Sequence, residues 1–581
     1  MQQKNQSLTT GRSSIILTII ALILWSYSIL QSRLVIDDFG LLHSFPITYF
    51  VALAILAVAS FILWRSRESH NGLLFLHLSI LITSLFLIPT VIEGLHGTHG
   101  GIAGYFSMTD YIIEHGHLDP SVYWYHEFPI NWVFYAEAMQ LWGIDFLGVF
   151  HKINPFMWQF LGIPLIYMFL KNTLGEERRN YRWAGLWLLY LGSWYYGFGA
   201  GYAPQGFGFF FFSLILALFS MTLVGQQKIR SVGHRISTIL VFVGIALSHW
   251  LSSVFGLAAV VMLFLRKRIG LTTLAIFAVF ITAWTIYGAV TFFEGNLPFF
   301  VEHALRWDEV WKYSFAERIV NVNPAHDFLD KIRVWHTAAF LAIAFLGAIL
   351  GLKAPKNRET HLTIIAMAIG IVAIASIIAF SYRHEIIDKT YLFGTPLIAY
   401  FGTRLLDHKV TAILLCILLL IAPASWMASH YANEYTGNIS QPNLEGLYFF
   451  NEVAATEGTL TGNYWSWGYM PGVGPETQYE YPPQAFVTVG DFLEHPEQYR
   501  GVLFEQLHFE NDELSYSDEV QVVYPHYISI SRRDKGIYYW VWDELDVINQ
   551  IEDLINDARN CNLIYSNPDM KLYIVEKIPA D

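Results

Sequence analysis

The sequence is poor in charged residues and in cysteine. Only 14% of its 581 residues are Asp, Glu, Lys or Arg, whereas soluble domains carry about 25%. Its two cysteines, Cys416 and Cys561, are too few for a disulfide scaffold or a thiolate zinc cluster. An excess of basic residues is also absent, because the net charge is −13. The composition therefore excludes a wholly soluble protein, a cysteine-stabilised scaffold and a nucleic-acid-binding protein.

Long apolar segments take the place of the missing charge. Hydrophobic residues make up 54% of the chain, and runs of roughly 14–22 residues can cross a bilayer about 30 Å thick as helices. The segment 130–146 is apolar too, but its polar residues give an amphipathic pattern that predicts a helix lying along the interface. We expect about thirteen transmembrane helices, at 14–31, 47–64, 73–92, 153–170, 183–198, 206–224, 236–249, 250–265, 270–291, 336–352, 361–380, 390–406 and 410–427.

Lysine and arginine are concentrated in alternate loops, which sets the orientation. Under the positive-inside rule these loops face the cytoplasm. The pattern predicts a multi-pass protein of the plasma membrane with a cytoplasmic N-terminus, whose first apolar segment is retained because it lacks a small-residue cleavage site. The external loops 93–129 and 292–335 then hold much of the polar chemistry. The basic loop residues are Arg12, Arg65, Arg67, Lys171, Arg178, Arg179, Arg182, Lys228, Arg230, Arg235, Arg266, Lys267, Arg268, Lys353, Lys356, Arg358, Arg404 and Lys409.

The charge balance changes near residue 428. Residues 1–427 form the predicted transmembrane domain, and residues 428–581 form a predicted extracytoplasmic α/β domain in which acidic residues outnumber basic ones. A helix is expected near 543–559. Strands are expected at Gly501–Phe504, Val520–Val523, Tyr527–Ile530, Leu563–Tyr565 and Leu572–Val575.

The loop 93–129 is the most informative part of the membrane region. Glu93, His96 and His99 follow a spacing of three, which places them on one face if the preceding helix continues. Ionisable residues at the mouth of a helix bundle are functional candidates, although a solvated loop is an equally simple interpretation. One carboxylate and two imidazoles also form a ligand set that suits a divalent metal such as Zn, Mn or Mg. A metal at Glu93, His96 and His99 is therefore an open alternative to a site without a cofactor.

Three short motifs occur in a fixed order, two of them within this loop and one after it. They are Ile112-Ile-Glu-His-Gly116, Tyr125-x-x-Phe-Pro129 and Leu141-Trp-Gly-Ile-Asp145. Their order resembles the first external loop of GT-C glycosyltransferases, which use polyprenyl-phosphate-linked sugars. About thirteen spans followed by an external α/β domain are similar to the oligosaccharyltransferase branch, including its archaeal members, and more distantly to protein mannosyltransferases.

Two family features are changed in this sequence. GT-C enzymes usually carry an acidic residue early in the first external loop, where this chain reads His99-Gly-Gly-Ile-Ala-Gly. The oligosaccharyltransferase motif Trp-Trp-Asp-Tyr-Gly has its nearest counterpart in Tyr464–Gly472, with Ser466 in place of the acid. These changes are consistent with two interpretations. The catalytic acid is displaced in the sequence, or the protein is a scaffold of this fold that has lost catalysis.

The resemblance implies transfer of a sugar from a polyprenyl- or dolichyl-phosphate donor, or its pyrophosphate, to an extracytoplasmic protein, glycan or lipid. Such a reaction needs a carboxylate near the acceptor and cations or hydrogen-bond donors at the leaving phosphate. The catalytic candidates are Glu93, Asp110 and His99. The phosphate-binding candidates are Arg383, Lys389 and His249. The candidates for acceptor or sugar contacts are His96, His126, Glu127, Tyr202, Trp465, Trp467 and Tyr469.

A transporter or flippase of lipid-linked saccharides is the alternative from another class. Transporters carry charged residues and interrupted helices near the bilayer midplane. In this sequence the predicted spans contain almost no charge and polar residues cluster at the outer ends. The distribution favours the transferase.

Overall fold

The computed structural model describes most of the membrane region and part of the C-terminal region. The described residues are 2–66, 68–93, 101–121, 124–143, 151–193, 203–224, 232–294, 323–353, 358–382, 385–431, 442, 445–446, 449, 459–461, 507–510, 513–516, 526–532, 535, 549, 552–553, 555–557 and 561–575.

Helices dominate the described residues. In chain order they are α1 (Gln2–Gln31), α2 (Ile47–Trp64), α3 (Asn71–Ile82), α4 (Ile88–Glu93), α5 (Gly101–His115), α6 (Ile130–Trp142), α7 (His151–Leu174), α8 (Tyr181–Gly192), α9 (Pro204–Val224), α10 (Val232–Ser248), α11 (Trp250–Leu265), α12 (Leu271–Ala283), α13 (Pro324–Leu352), α14 (Arg358–Tyr382), α15 (Glu385–Gly402) and α16 (Lys409–His430). Short π-helical segments, Thr83–Leu87 and Trp284–Gly288, continue α3 and α12.

The predicted polytopic helical fold is confirmed. Among the described residues, nine helices are long and apolar enough to cross a membrane. The other four predicted spans lie on α8, α10, α11 and α15, which are shorter or more polar. The count of thirteen crossings stays a prediction. The helices that meet the length and hydropathy requirements are Gly11–Gln31, Ile47–Trp64, Asn71–Ile92, Lys152–Leu174, Pro204–Leu223, Leu271–Gly288, Pro324–Leu352, Arg358–Ile378 and Lys409–His430.

The N-terminal helices bury polar side chains and expose apolar ones. Thr18 of α1, Ser60 of α2 and His77 of α3 are at most 3% exposed. The His77 ring joins them, with Nε2 2.7 Å from the Thr18 hydroxyl and Nδ1 2.8 Å from the Ser60 hydroxyl. The opposite face of α1 exposes isoleucines such as Ile16 and Ile23. This inverted pattern suits helices in lipid, where hydrogen bonds between helices help to hold the bundle together.

Glycines allow the later helices to approach closely. A Cβ at Gly347 of α13 would lie 2.0 Å from the carbonyl oxygen of Phe401 in α15. A Cβ at Gly402 would lie 2.7 Å from Leu188 of α8. Close approach through small residues is the usual packing mode of membrane helices, and here it joins α8, α13 and α15.

The described strands form a mixed sheet and a separate hairpin. The strands are β1 (Thr459–Thr461), β2 (Leu507–Glu510), β3 (Glu513–Tyr516), β4 (His526–Ser531), β5 (Cys561–Asn567) and β6 (Met570–Val575). The sheet has the order β1-β4-β6-β5, in which β1 and β4 are parallel and the other pairs antiparallel, and β2 pairs with β3. The strands predicted at Tyr527–Ile530, Leu563–Tyr565 and Leu572–Val575 are confirmed. Those predicted at 501–504 and 520–523 lie outside the described residues.

The chain divides into two compact units. The helical unit comprises Met1–Glu93, Leu118–Ile319 and Phe328–Ala432. The C-terminal unit comprises Gly94–His117, Val320–Asp327 and Asn433–Asp581. The second unit therefore includes α5 and the sheet. The predicted boundary at residue 428 and the extracytoplasmic position of the tail stay predictions.

A buried carboxylate ties the predicted C-terminal helix to the sheet. Residues 549, 552–553 and 555–557 are helical, and Glu552 is 6% exposed. Its carboxylate contacts the ammonium groups of Lys535 and Lys571, the latter at 2.5 Å. Burial alone would raise the pKa of Glu552, but hydrogen bonds and charge from the two lysines outweigh it and lower the pKa below 4.5. The charged form is thus favoured in the folded unit.

We expect Glu552→Gln to destabilise the C-terminal unit by about 1–2 kcal/mol at pH 7. The value is modest because the lysine ends reach water, which screens the pair. Since the folded pKa is lowered, this contribution is complete above pH 4.5 and is lost as the pH falls through the folded pKa. Hydrogen exchange of the β5 and β6 amides in the full chain measures it. The variant should exchange faster at pH 7 and converge with the wild type in acid, whereas Asp557→Asn, at an exposed position, should match the wild type throughout. Equal protection at pH 7 would contradict the prediction.

Candidate functional site

His249 forms the turn between α10 and α11. Its backbone is extended (φ −167°, ψ 127°), so α10 ends at Ser248 and α11 begins at Trp250. The imidazole caps α11, because Nδ1 accepts the backbone N–H of Ser252 at 3.3 Å and lies 2.9 Å from the Ser252 hydroxyl. His249 is 5% exposed. The turn predicted between these two spans is confirmed, and its histidine is buried in it.

The helix α6 is fastened to this turn. The Asn131 side chain donates from Nδ2 to the carbonyl oxygen of Ser248 at 3.3 Å. Asn131 is fully buried, and its Oδ1 has no hydrogen-bond partner among the described residues. A buried unpaired acceptor costs about 1–3 kcal/mol. Helix α6, which the sequence predicts at the membrane interface, thus contributes one polar side chain to the turn at an energetic cost.

The helix α9 packs directly on the same turn. A Cβ at Gly208 would lie 2.0 Å from Ser252 Oγ and 3.4 Å from the His249 Cβ. Only glycine therefore allows this approach. On either side of Gly208, Phe207 contacts Tyr135 of α6, and Phe209 contacts Phe393 of α15. Aromatic packing holds four helices around His249.

The helix α15 carries a lysine side chain near the site. Phe393 stacks on Phe255 of α11 with ring centroids 4.8 Å apart. One turn earlier on α15, Lys389 is 6% exposed and Asp388 is equally buried. The charge of Lys389 acts on His249. His249 and Lys389 are two of the three predicted phosphate-binding residues and are distant in sequence. In the structure they lie close enough for the charge of one to affect the other.

The electrostatics of the turn favour an anion. Because Nδ1 of His249 accepts the backbone N–H of Ser252, the ring carries no second proton and is neutral. The N-terminal end of α11 contributes the partial positive charge of a helix dipole, and its first N–H groups are natural anion donors. A cationic side chain, a neutral imidazole and a helix N-terminus thus converge at one place.

The external-loop candidates His126 and Glu127 are buried and hydrogen-bonded to backbone groups. His126 Nδ1 accepts the backbone N–H of Asp119 at 3.0 Å. The Glu127 carboxylate accepts the backbone N–H groups of Thr291 and Phe292, each at 2.8 Å. Both carboxylate oxygens are thus used to hold the chain that follows α12. Their predicted role as acceptor contacts stays a prediction, beside this structural role.

We expect Glu127→Gln to destabilise the helical unit by about 1–3 kcal/mol. The amide NH₂ would face one backbone N–H and leave that donor buried without a partner. Thermal unfolding in detergent measures the loss. The exposed Glu137 of α6 provides the control, because Glu137→Gln should leave stability unchanged. A Glu127→Gln protein of wild-type stability with a raised KM for the acceptor would instead favour the contact role.

The remaining candidates fall into two groups. Glu93 is the last residue of α4, and Asp110 is a half-buried residue of α5 in the C-terminal unit. The helix α5 ends at His115, within the motif Ile112–Gly116, and Gly116 follows with a φ of 72°. The others lie outside the described residues, namely His96, His99, Tyr202, Arg383, Trp465, Trp467 and Tyr469.

The same limit applies to the predicted metal site. Two of its three ligands, His96 and His99, are not described, and neither is the side chain of Glu93. Within the ranges that the structure does describe, no group of three His, Cys, Asp or Glu side chains has the arrangement of a metal site. A metal at Glu93, His96 and His99 stays a prediction.

Three residues around the turn, Ser252, Asn131 and Gly208, were not among the predicted site residues. No sequence motif marks these residues. Asn131 and Gly208 contact the turn from helices that are remote in sequence, and Ser252 contacts His249 through the helix cap. The available signal was His249-x-x-Ser252, the spacing of a side-chain cap at the start of a helix. Histidine is not a preferred capping residue, so the motif was easy to miss.

Comparisons with known proteins give structural likenesses only. No protein-family model and no curated protein matches the chain. Several solved structures are similar to the chain, and two of them are described here. One is ArnT from Cupriavidus metallidurans bound to undecaprenyl phosphate, with 13% identity, a TM-score of 0.48, and coverage of 87% of this chain and 98% of that one. The other is the Archaeoglobus fulgidus oligosaccharyltransferase in complex with Zn and sulfate, with 13% identity, a TM-score of 0.44, and coverage of 82% and 70%.

One of these proteins is an oligosaccharyltransferase, the branch of GT-C enzymes that the sequence motifs resemble. At 13% identity neither likeness transfers a residue, a ligand or a substrate to this chain. The arrangement of the His249 turn is therefore argued from its own contacts.

Proposed function

We propose that this protein is an integral-membrane glycosyltransferase that moves a sugar from a polyprenyl-phosphate donor to an extracytoplasmic acceptor. The observation that carries the proposal is that His249 caps the N-terminus of α11, while α15, which carries Lys389, packs on α11 through Phe393 and Phe255. His249 and Lys389 were selected as phosphate ligands because a departing phosphate needs cations or N–H donors. The family resemblance of the loop motifs supports the same reaction.

In this proposal the donor phosphate binds at the His249 turn. Lys389 contributes a charge, and Arg383, which precedes α15, contributes a planar fork that can grip two phosphate oxygens. The low dielectric of the bundle strengthens both interactions. These groups stabilise the charge that develops on the phosphate oxygen as its bond to the sugar breaks.

The acceptor nucleophile attacks the anomeric carbon and loses its proton to a carboxylate. Glu93 is our first choice for that base, and Asp110 is the second. One carbon–oxygen bond to phosphate breaks, one bond from the anomeric carbon to the acceptor forms, and polyprenyl phosphate leaves as the anion. A positioned base contributes about 10²–10⁴-fold to such a reaction.

A transfer assay with the purified protein in liposomes tests the proposal. The donor is a polyprenyl-phosphate sugar with the label in the sugar, and extracts of membrane and periplasmic or surface material serve as acceptors. A transferase moves the label off the lipid and releases polyprenyl phosphate. A flippase leaves the sugar on the lipid and changes only the leaflet in which it resides. A scaffold of the same fold does neither, and that outcome would overturn the proposal.

A further inference from the structure

The hydrogen bonds of His249 fix the position of its proton. A backbone N–H can only donate, and that of Ser252 points at Nδ1 from 3.3 Å. A proton on Nδ1 would place two hydrogens face to face. Nδ1 is therefore the acceptor, the Ser252 hydroxyl at 2.9 Å also donates to it, and the single ring proton resides on Nε2.

The protonated nitrogen has no assigned task within the fold. Nε2 of His249 makes no hydrogen bond to any residue in the described part of the chain, although the side chain is 95% buried. Nε2 does not belong to the fully buried polar atoms that lack a partner, so a ligand that accepts a hydrogen bond from it can reach it. The neighbouring Lys389 charge and the N-terminus of α11 indicate that this ligand is an anion.

Two neighbours hold the arrangement in place. Gly208 of α9 allows that helix to press on Ser252 Oγ, which restricts the serine side chain to the ring. Asn131 of α6 holds the Ser248 carbonyl and with it the start of the turn. The hydroxyl of Ser253 donates to backbone carbonyl oxygens, that of Ile245 at 2.9 Å and that of His249 at 3.2 Å, so of the two adjacent serines only Ser252 bonds the ring through its side chain.

We propose that Ser252 is a positioning residue that keeps His249 in its neutral, Nε2-protonated form, so that the turn presents an uncharged N–H donor to the phosphate. The phosphate part rests on the proposed function, whereas the tautomer part does not. The imidazole then has two separable roles: Nδ1 caps α11, and Nε2 binds the ligand.

Nitrogen NMR of the full chain labelled in histidine tests the positioning role without any ligand. The expected result is a bare Nδ1 and a protonated Nε2 for His249, assigned by its loss in a His249→Asn sample. Ser252→Ala removes the nearer donor and keeps the longer backbone N–H contact at 3.3 Å, so we expect the Nε2-protonated tautomer to remain the main one, with a measurably larger fraction of the Nδ1-protonated tautomer than in the wild type. Ser253→Ala is the matched control and should keep the wild-type signal. A protonated Nδ1 in the wild type, or a Ser252→Ala spectrum identical to it, would overturn the proposal.

Two substitutions of His249 then separate its roles. In His249→Asn the amide oxygen replaces Nδ1 as the cap, and asparagine is a good capping residue, but the Nε2 donor is lost. In His249→Gln the amide NH₂ reaches the position of Nε2, while the cap is weakened. The probe is sugar-free polyprenyl phosphate, bound to the protein in nanodiscs.

We expect the asparagine variant to fold as the wild type does and to bind the probe about 10- to 100-fold more weakly, as for loss of one hydrogen bond to a charged group. The glutamine variant should unfold at a lower temperature yet bind within about threefold of wild type. The reverse order of affinities would overturn the Nε2 role. If the wild type fails to bind the probe while the NMR result holds, the proposed function is wrong and the positioning role of Ser252 remains.

Discussion

Lys389→Gln is expected to weaken binding of polyprenyl phosphate by about 30- to 100-fold. The substitution keeps a polar side chain that is one atom shorter and removes its charge. A hydrogen bond to a charged group contributes about 1.5–3 kcal/mol, and 1.4 kcal/mol corresponds to a factor of ten in affinity. The burial of Lys389 places the effect in the upper part of this range, because water does not screen a contact in the bundle.

Lys389→Arg distinguishes charge from shape. Arginine keeps the positive charge, so its affinity should fall by less than about tenfold. Lys409→Gln is the matched control, since Lys409 is exposed at the start of α16, and it should leave the affinity unchanged. Binding is measured in nanodiscs by competition with a photoreactive polyprenyl phosphate, and thermal unfolding verifies that each variant is folded. A folded Lys389→Gln protein with wild-type affinity would exclude Lys389 from the phosphate site.

Glu93→Gln is expected to lower kcat by about 10²–10⁴-fold and to leave donor affinity nearly unchanged. Glutamine preserves the size of the side chain but cannot accept the acceptor's proton, and general-base catalysis contributes about this much. An interaction that matters only in the transition state lowers kcat and kcat/KM together. Glu93 ends α4, where it is the nearest acid upstream of the position at which GT-C enzymes carry their loop carboxylate.

Asp110→Asn is the companion experiment, because Asp110 is the alternative base. The variant of the true base should show the large fall in kcat, and the other should not. Glu114→Gln serves as the control, since Glu114 is exposed on the same helix as Asp110. Transfer of a labelled sugar under saturating donor provides kcat. If both variants turn over at the wild-type rate, neither carboxylate is the base.

The fold was largely predictable, because membrane helices require long apolar segments. The run at 47–64 corresponds to α2, and the run at 410–427 lies within α16. The C-terminal strands were also predictable, since alternation in Tyr527–Ile530 and Leu572–Val575 marks half-buried strands. The start of α13 could not be predicted from the apolar segments, because its first turns are polar. The helix begins at Pro324, twelve residues before the apolar run.

The π-helical break in the third span could not be predicted from local sequence. At Thr83–Leu87 the carbonyl oxygen of Ser84 accepts the Tyr49 hydroxyl of α2 at 2.8 Å. The carbonyl oxygen of Leu85 accepts the Tyr431 hydroxyl, which follows α16, also at 2.8 Å. Donors from other helices satisfy carbonyls that a regular helix would use internally. Such a break depends on which helices become neighbours.

The candidate site was predictable only in part. A histidine in the turn between two spans and a lysine at the start of another span are visible in the sequence, and His249 and Lys389 were selected on that basis. Their proximity follows from the packing of α11 against α15 through Phe255 and Phe393, which no local pattern encodes. The structural role of Glu127 was missed because its partners, the backbone N–H groups of residues 291–292, are remote in sequence.

The most direct test of the central claim is a density map of the full chain in nanodiscs with bound polyprenyl phosphate. Our account predicts the phosphate at the N-terminus of α11, with one oxygen within hydrogen-bond distance of His249 Nε2 and another near the Lys389 ammonium. A phosphate bound elsewhere in the bundle, with both side chains as they are without ligand, would contradict it.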